Sequence, residues 1–395
     1  MQPKREQNFS PSRTEHLGAT HSRRDLIGRA GSRAMLATPA LILDLDALER
    51  NIQRMAARCM ESGVALRPHV KAHKSVTIAK RQLEAGAVGV CCATLGEAEI
   101  MARSGIPGII VTAPIVTPQT IDRLVALSGQ GHDVGAVADN AENVDDLARA
   151  ASRIGTRLAV LVDVEAGSKR TGVIEVGDAV ALARRIASAS SLRFAGIQAY
   201  DGGAQGVSDY DERRRRVRDD LALARLVVEH LREEGLDPGV ITGSGTGTHD
   251  VDRELGVFTE LQPGSYLFTD SFYRSLPLQR GNPRPFDASL CVRCTVISAT
   301  HRGFVITDAG LKALAPEGQS IVIASGAPPG ATYATMGDEH GRITFASETD
   351  RLEVGTAVEC LPPYCATTVG LYDVFNCVRG GTVVEVWPVD ARGFA

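Results

Sequence analysis

Residues 65–93 read A-L-R-P-H-V-K-A-H-K-S-V-T-I-A-K-R-Q-L-E-A-G-A-V-G-V-C-C-A, and this stretch decides the fold. A short apolar run at 65–71 is followed by apolar residues at helical spacing over 76–84, a turn carrying Gly86, and a second apolar run at 88–93. That is a strand, a helix and a strand, the unit of a parallel sheet. The alternation continues outward, with strands expected at 109–113, 134–137, 158–164, 194–200 and 240–242 and a weaker one at 258–261. Helices are expected at 47–62, 95–104, 118–128, 141–154, 176–188 and 210–234. Eight strands with a helix after most of them predict an α/β fold, a (β/α)8 TIM-type barrel over 47–275, with an open seven-stranded sheet as the alternative.

After Phe272 the pattern changes, because the Pro/Gly-rich stretch 276–285 is followed by runs at 289–297, 303–307, 319–324, 357–361 and 382–387 with no helices between them. These predict an antiparallel β-domain over 276–395. The run A-L-I-L-D-L at 40–45 has no helix before it, so residues 36–46 are expected as a strand pairing with that domain. Residues 1–35 read as a basic, disordered tail; positions 1–33 hold seven Lys/Arg against three Asp/Glu. The five arginines within 213–218 are flanked by Asp209, Asp211, Glu212, Asp219 and Asp220 and read as a solvated helix face.

The whole chain of 395 residues carries a net charge of −4, which lacks the electrostatic footprint of a nucleic-acid binder. No apolar run approaches the roughly 18 residues of a membrane span, so no membrane partner is expected. Ser22-Arg23-Arg24 is similar to a twin-arginine signal, but basic and small residues follow where an apolar segment belongs, and a cytoplasmic location is expected. Eight cysteines are too dilute for a disulfide scaffold and are expected reduced.

Two motifs carry chemistry. A lysine at the end of a barrel strand points into the C-terminal mouth, so Lys71 is a candidate Schiff-base nucleophile, with His69 two residues earlier on the same face. The alternative is a polar strand end with surface lysines. The loop Thr242-Gly243-Ser244-Gly245-Thr246-Gly247-Thr248 follows the seventh strand, where barrels frequently hold phosphate, and its glycines and hydroxyls suit that task. A lysine and a phosphate loop together point to pyridoxal 5'-phosphate (PLP).

With these motifs, the segments 38–52, 67–75, 194–202, 243–248, 305–313, 338–341 and 386–393 resemble the D-threonine aldolase / D-serine dehydratase-like family, close to the 3-hydroxyaspartate aldolases. The resemblance implies the alanine-racemase type of fold, a homodimer, and a small amino-acid substrate. It implies cofactor attachment at Lys71, phosphate held by Gly243, Ser244, Gly245 and Thr246 after Thr242, and Tyr266 as an additional donor. Arg170 matches the family's arginine against the pyridine nitrogen, and Gln198 and Tyr200 would line the cofactor.

One segment departs from the family. The resemblance implies a divalent metal held by a His and, two residues on, an Asp or Cys; here Tyr364 and Ala366 occupy those positions. A neutral phenol is a poor divalent ligand and a methyl group is none. No metal ligand is therefore assigned, and Tyr364 or His340 is the candidate acid/base on the substrate hydroxyl. The reading is a PLP-dependent lyase of aldolase or dehydratase type acting on β-hydroxy-D-amino acids. A metal-independent racemase or epimerase is the alternative, and a non-catalytic PLP-binding protein the third.

Overall fold

The structure, a computed structural model, describes residues 25–317 and 320–393. Strand β1 (Ala40–Asp44) comes first, and eight parallel strands follow: β2 (Ala65–Leu66), β3 (Val90–Cys92), β4 (Ile109–Val111), β5 (Val134–Ala138), β6 (Leu158–Asp163), β7 (Leu192–Ala199), β8 (Val240–Gly243) and β9 (Glu260–Leu261). Their order is β2-β9-β8-β7-β6-β5-β4-β3, and a parallel bridge between His69 and Cys91 joins the two ends. The barrel predicted from periodicity thus closes beside Lys71. Cys91, Ile110, Val137 and Leu161 fill its interior, while most of the remaining apolar side chains pack between strands and outer helices.

One buried ion pair sits toward the N-terminal ends of the barrel strands. Arg67 donates through Nε and Nη2 to both Glu260 oxygens, at 2.7 and 2.6 Å, and through Nη1 to the carbonyl of Gly108. Glycine at 89 and 108 makes room for it, since a Cβ at 89 would lie 2.3 Å from Nη1.

The second sheet has nine strands and includes β1, β10 (Leu290–Ser298), β11 (Phe304–Thr307), β12 (Val322–Ser325), β13 (Thr332–Thr335), β14 (Gly341–Thr344), β15 (Ala357–Leu361), β16 (Val374–Arg379) and β17 (Thr382–Pro388). β1 lies centrally, antiparallel to β10 and parallel to β16. β13, β14 and β16 escape the sequence reading: the first two are four-residue strands rich in threonine and small residues, and β16 follows a turn with no proline to announce it. Gln319, at the start of one expected strand, lies outside the described residues.

Several expectations need correction. The expected strand 65–71 stops at Leu66, because Pro68 offers no N–H to a ladder; Val70–Ala72 forms a 3-10 turn instead. The expected helix 210–234 is two helices, Tyr210–Asp220 and Ala222–Glu233. Within the arginine run, Arg213 is fully buried and donates to the carbonyls of Val207 and Pro277, so that position is a core brace and only its neighbours are solvated. Of the expected tail, residues 1–24 lie outside the described residues, but 25–35 pack on the β-domain. Ser32–Met35 is a 3-10 turn, and Arg33 pairs with Glu359 through Nη2 at 2.6 Å.

Candidate active site

The broken end of β2 sets the site. His69 accepts the N–H of Lys71 at Nδ1 over 3.4 Å, and its Nε2 lies 3.2 Å from Thr112 Oγ1, whose own proton goes to the Cys92 carbonyl. The imidazole therefore carries its hydrogen on Nε2. Burial, and then the Lys71 ammonium, hold its pKa well below the ordinary histidine value. Two lysines compete for the nucleophile role in this segment, and the fold separates them. Lys74 is ion-paired with the buried Glu97, which also accepts the N–H of Ala93. Lys71 has no carboxylate within ion-pair distance among the described residues.

Lys71 Nζ stands 5.6 Å from the centroid of the Tyr200 ring, and Arg170 Cζ stands 5.3 Å from the same centroid. Burial, and next the Arg170 guanidinium, lower the lysine pKa toward a free amine. These groups line a cavity of about 290 Å³ that also includes His69, Thr112, Gln198 and Gln262. Gln198 is fixed by donating to Asp163 Oδ1 at 2.9 Å and to the Thr112 carbonyl at 3.1 Å. Gln262 donates to Thr242 Oγ1 at 2.9 Å, linking the cavity to β8, so the hydroxyl of Thr242 already serves the protein.

Gly243 ends β8, and the loop after it holds Ser244, Gly245 and Thr246; all four are buried, with Ser244 at φ +77°. Its glycines have a local reason: a Cβ at 245 or 247 would lie within 2.4 Å of Gln205. Gln205 accepts the Gly247 N–H at 2.8 Å and donates to Thr248 Oγ1, which donates to Asp252 at 2.6 Å. Tyr266 touches this loop through its backbone, its N–H reaching Thr246 Oγ1 at 3.0 Å. Its hydroxyl points elsewhere, accepting from Gln82 at 2.9 Å, which corrects the expectation of a phosphate donor.

In a neighbouring cavity that Tyr200 also lines, Tyr364 stands at the N-cap position of the short helix Cys365–Val369. Asp270 accepts the N–H of Cys365 at 2.7 Å with one oxygen and that of Tyr273 at 3.1 Å with the other. Phe272, Tyr273 and Tyr364 are thereby gathered beside Tyr200. Burial holds the Tyr364 and Tyr200 phenols above their ordinary pKa, so both keep their protons. His340 is apart from all of this in the chain. It is exposed at the β13–β14 turn, where its carbonyl accepts the Met336 N–H at 2.7 Å, and this corrects its placement as acid/base within one chain.

Residues 43–271 match the family "Alanine racemase, N-terminal domain", and residues 289–378 match "Putative serine dehydratase domain". The chain is 36% identical to 3-hydroxy-D-aspartate aldolase of Paracoccus denitrificans, covering 91% of this chain and 92% of that one. It is 37% identical to D-threonine aldolase of an Arthrobacter species, over 92% and 94%. This chain belongs to the D-threonine aldolase / D-serine dehydratase-like family. The crystal structure of the family's D-threonine aldolase from Filomicrobium marinum superposes with a TM-score of 0.88 at 38% identity, over 91% of this chain and 97% of that one.

The residues present fit the PLP that the family implies. An uncommitted, desolvated lysine, a guanidinium beside the same aromatic ring, and a buried Ser/Thr loop next to Thr242, which Gln262 ties to the cavity, form one site. They do not fit the family's divalent metal. Tyr364 and Ala366 supply no good ligand, and the intervening Cys365 is buried with its thiol pushed up and its N–H on Asp270. No cluster of three His, Cys, Asp or Glu suited to a metal occurs among the described residues. Sequence reading missed Thr112, Asp163, Gln205, Gln262 and Asp270. Thr112, Asp163 and Gln262 at the C-terminal ends of β4, β6 and β9 carried the signal that could have found them; Gln205 and Asp270 lie on loops with none.

Proposed function

We propose that this protein is a PLP-dependent lyase acting on β-hydroxy-D-amino acids, by aldol cleavage or dehydration. The observation that carries the reading is Lys71: one of two lysines in its segment, it alone faces the cavity without an ion-pair partner among the described residues. Bound here, PLP supplies an aldehyde for the lysine amine and an electron-withdrawing ring that weakens bonds at the substrate Cα. Lys71 would hold it, with Arg170 at the ring and Ser244 and Thr246 toward the phosphate.

The chain's own groups do the rest. Lys71, held toward its neutral form, takes the Cα proton in a dehydration, and in an aldol cleavage takes the β-hydroxyl proton and returns one at Cα. His69, neutral and pinned by Thr112, keeps cationic charge low beside it. Tyr364 retains its proton: in a dehydration it donates to the departing β-hydroxyl, which leaves as water, and in an aldol cleavage it hydrogen-bonds the oxygen that becomes the aldehyde, in the place where the family resemblance implies a metal. A homodimer and a cytoplasmic location belong to the same proposal; eight free cysteines, seven of them buried, are consistent with a reducing compartment.

The test is spectroscopic and chemical. Holoenzyme should show an absorbance band that borohydride removes and that Lys71→Ala lacks; an unchanged band in the variant refutes the reading. Incubation with D-threonine or 3-hydroxy-D-aspartate should release glycine plus aldehyde, or ammonia plus a 2-oxo acid. The Tyr364 and Ala366 replacements also favour a second reading, a racemase, which would instead yield both enantiomers with Cα deuterium in deuterium oxide.

A further inference from the structure

Behind the loop after β8 stands a carboxyl group that the proposed function leaves without a task. Asp252 lies on the helix His249–Leu255 into which the loop leads, and it is buried together with Ser244, Thr248 and Gln205. Counting protons fixes what these groups do for one another. Thr248 Oγ1 accepts the Gln205 Nε2 hydrogen at 2.9 Å and the Gly245 N–H at 3.2 Å, so its own proton goes to Asp252 Oδ2, at 2.6 Å. That oxygen is an acceptor, and a proton on Asp252 therefore belongs on the other one. The Ser244 hydroxyl is the second side chain that reaches this carboxyl.

The two protonation states give the loop different chemistry. As a carboxylate, Asp252 takes the Ser244 proton too, which leaves the loop one donor short and adds a negative charge. As a carboxylic acid it donates to Ser244 Oγ, and the Ser244 proton is free to turn toward an anion in the loop. No cation offsets the charge, since Asp252 has no ion-pair partner among the described residues. On its own helix, Asp250 is turned to Arg58, Arg253 and Tyr210, and His249, held neutral by burial, donates from Nδ1 to the Thr246 carbonyl. At the end of β7 stand the phenol of Tyr200 and the buried, like-charged Asp201, and on the helix Tyr210–Asp220 Arg216 is paired with Asp220. Burial, and to a lesser degree Asp201, already hold the Asp252 pKa up to about 7, and a phosphate dianion in the same loop raises it further.

We infer that Asp252 is the positioning residue of the phosphate loop, and that it takes up a proton from solvent when a phosphate monoester binds, donating to Ser244 so that Ser244 donates to the phosphate. The inference rests on the proposed function, and it makes the affinity for the cofactor fall as pH rises above neutral.

Titration of the apoenzyme with PLP and with pyridoxal between pH 7.5 and 9 tests it. Both aldehydes report on Lys71 through absorbance, but pyridoxal lacks the phosphate, so the ratio of their dissociation constants isolates the loop. The phosphate is almost fully ionised over this range and adds little pH dependence of its own. For wild type the advantage of PLP over pyridoxal should shrink by up to about tenfold per pH unit, and calorimetry in buffers of different ionisation enthalpy should show close to one more proton taken up with PLP. Asp252→Asn, whose amide donates to Ser244 and accepts from Thr248 at every pH, should make the ratio flat and bind PLP at pH 9 at least about tenfold tighter than wild type. Asp252→Ala should also make the ratio flat, but bind PLP about tenfold more weakly than Asp252→Asn, because the donor is lost with the charge. A flat ratio in wild type, or the same slope in Asp252→Asn, overturns the role of Asp252 and leaves the lyase standing. No spectral response to either aldehyde overturns the lyase reading and the inference with it.

Discussion

Asp270 accepts the backbone N–H of Cys365 at 2.7 Å, and with the N–H groups of Ser271 and Phe272, which donate to the carbonyls of Pro362 and Pro363, this bond joins the end of the barrel to the segment that carries Tyr364. Its other oxygen caps Ser271–Arg274 at the Tyr273 N–H. One buried carboxylate thus helps fix three of the four rings beside the Lys71 cavity. Asp270→Ala should cost about 2 kcal/mol in urea unfolding by leaving two N–H groups unsatisfied. It should also lower kcat/KM, with Asp270→Asn milder on both counts because its amide oxygen still accepts one bond.

The pair of Arg67 and Glu260 is buried and bidentate. Glu260→Gln should destabilise the protein by about 3 kcal/mol, because the guanidinium is left buried without its counter-charge. Replacing both, as Arg67→Met with Glu260→Leu, should recover most of that loss, measured by chemical denaturation of all three variants.

The pH dependence of stability should carry the mark of Asp252. Burial raises its pKa to about 7 against an ordinary 3.8, and Thr248 donates to it. The unfolded chain gives up this proton near pH 4 while the folded protein keeps it to about 7, so between these values the folded state binds more protons. The contribution is therefore most favourable below pH 4 and is lost as pH rises through 7. Asp252→Asn should gain on wild type over that window by at most about 4 kcal/mol, at roughly 1.4 kcal/mol per pH unit. A stability difference constant from pH 4 to 8 would contradict the assignment.

Tyr364→Phe should lower kcat by about 10²-fold with little change in KM, the loss of one positioned proton donor. Chelator should leave wild-type turnover unchanged. Tyr364→His with Ala366→Asp rebuilds the ligand pattern implied by the resemblance, and its activity should rise on addition of a divalent cation.

The Lys71 and Lys74 variants should separate cleanly. Lys71→Ala removes the reducible absorbance; Lys74→Ala keeps it, and its loss of stability reports the buried Glu97 left unpaired.

Much of this was legible in the sequence by itself. Apolar periods of two and 3.6 are local properties, so the barrel and the β-domain could be read before any contact was known. The run at 65–71 and the Gly/Thr loop after β8 marked Lys71 and a candidate anion loop for the same reason: each is a short segment whose residues suffice for the reading. The tertiary structure decided what depends on partners distant in the chain. Lys71 differs from Lys74 because Glu97, on the helix Leu95–Arg103 after β3, pairs with Lys74 alone. Arg213 is a buried brace, unlike the arginines around it, because Val207 and Pro277 offer carbonyls there. Tyr364 lies beside Phe272 and Tyr273 because residues 270–272 bond to residues 362–365, more than 90 positions away. Periodicity records which face of an element is apolar, but a side chain's charge state and role depend on what the fold packs against it.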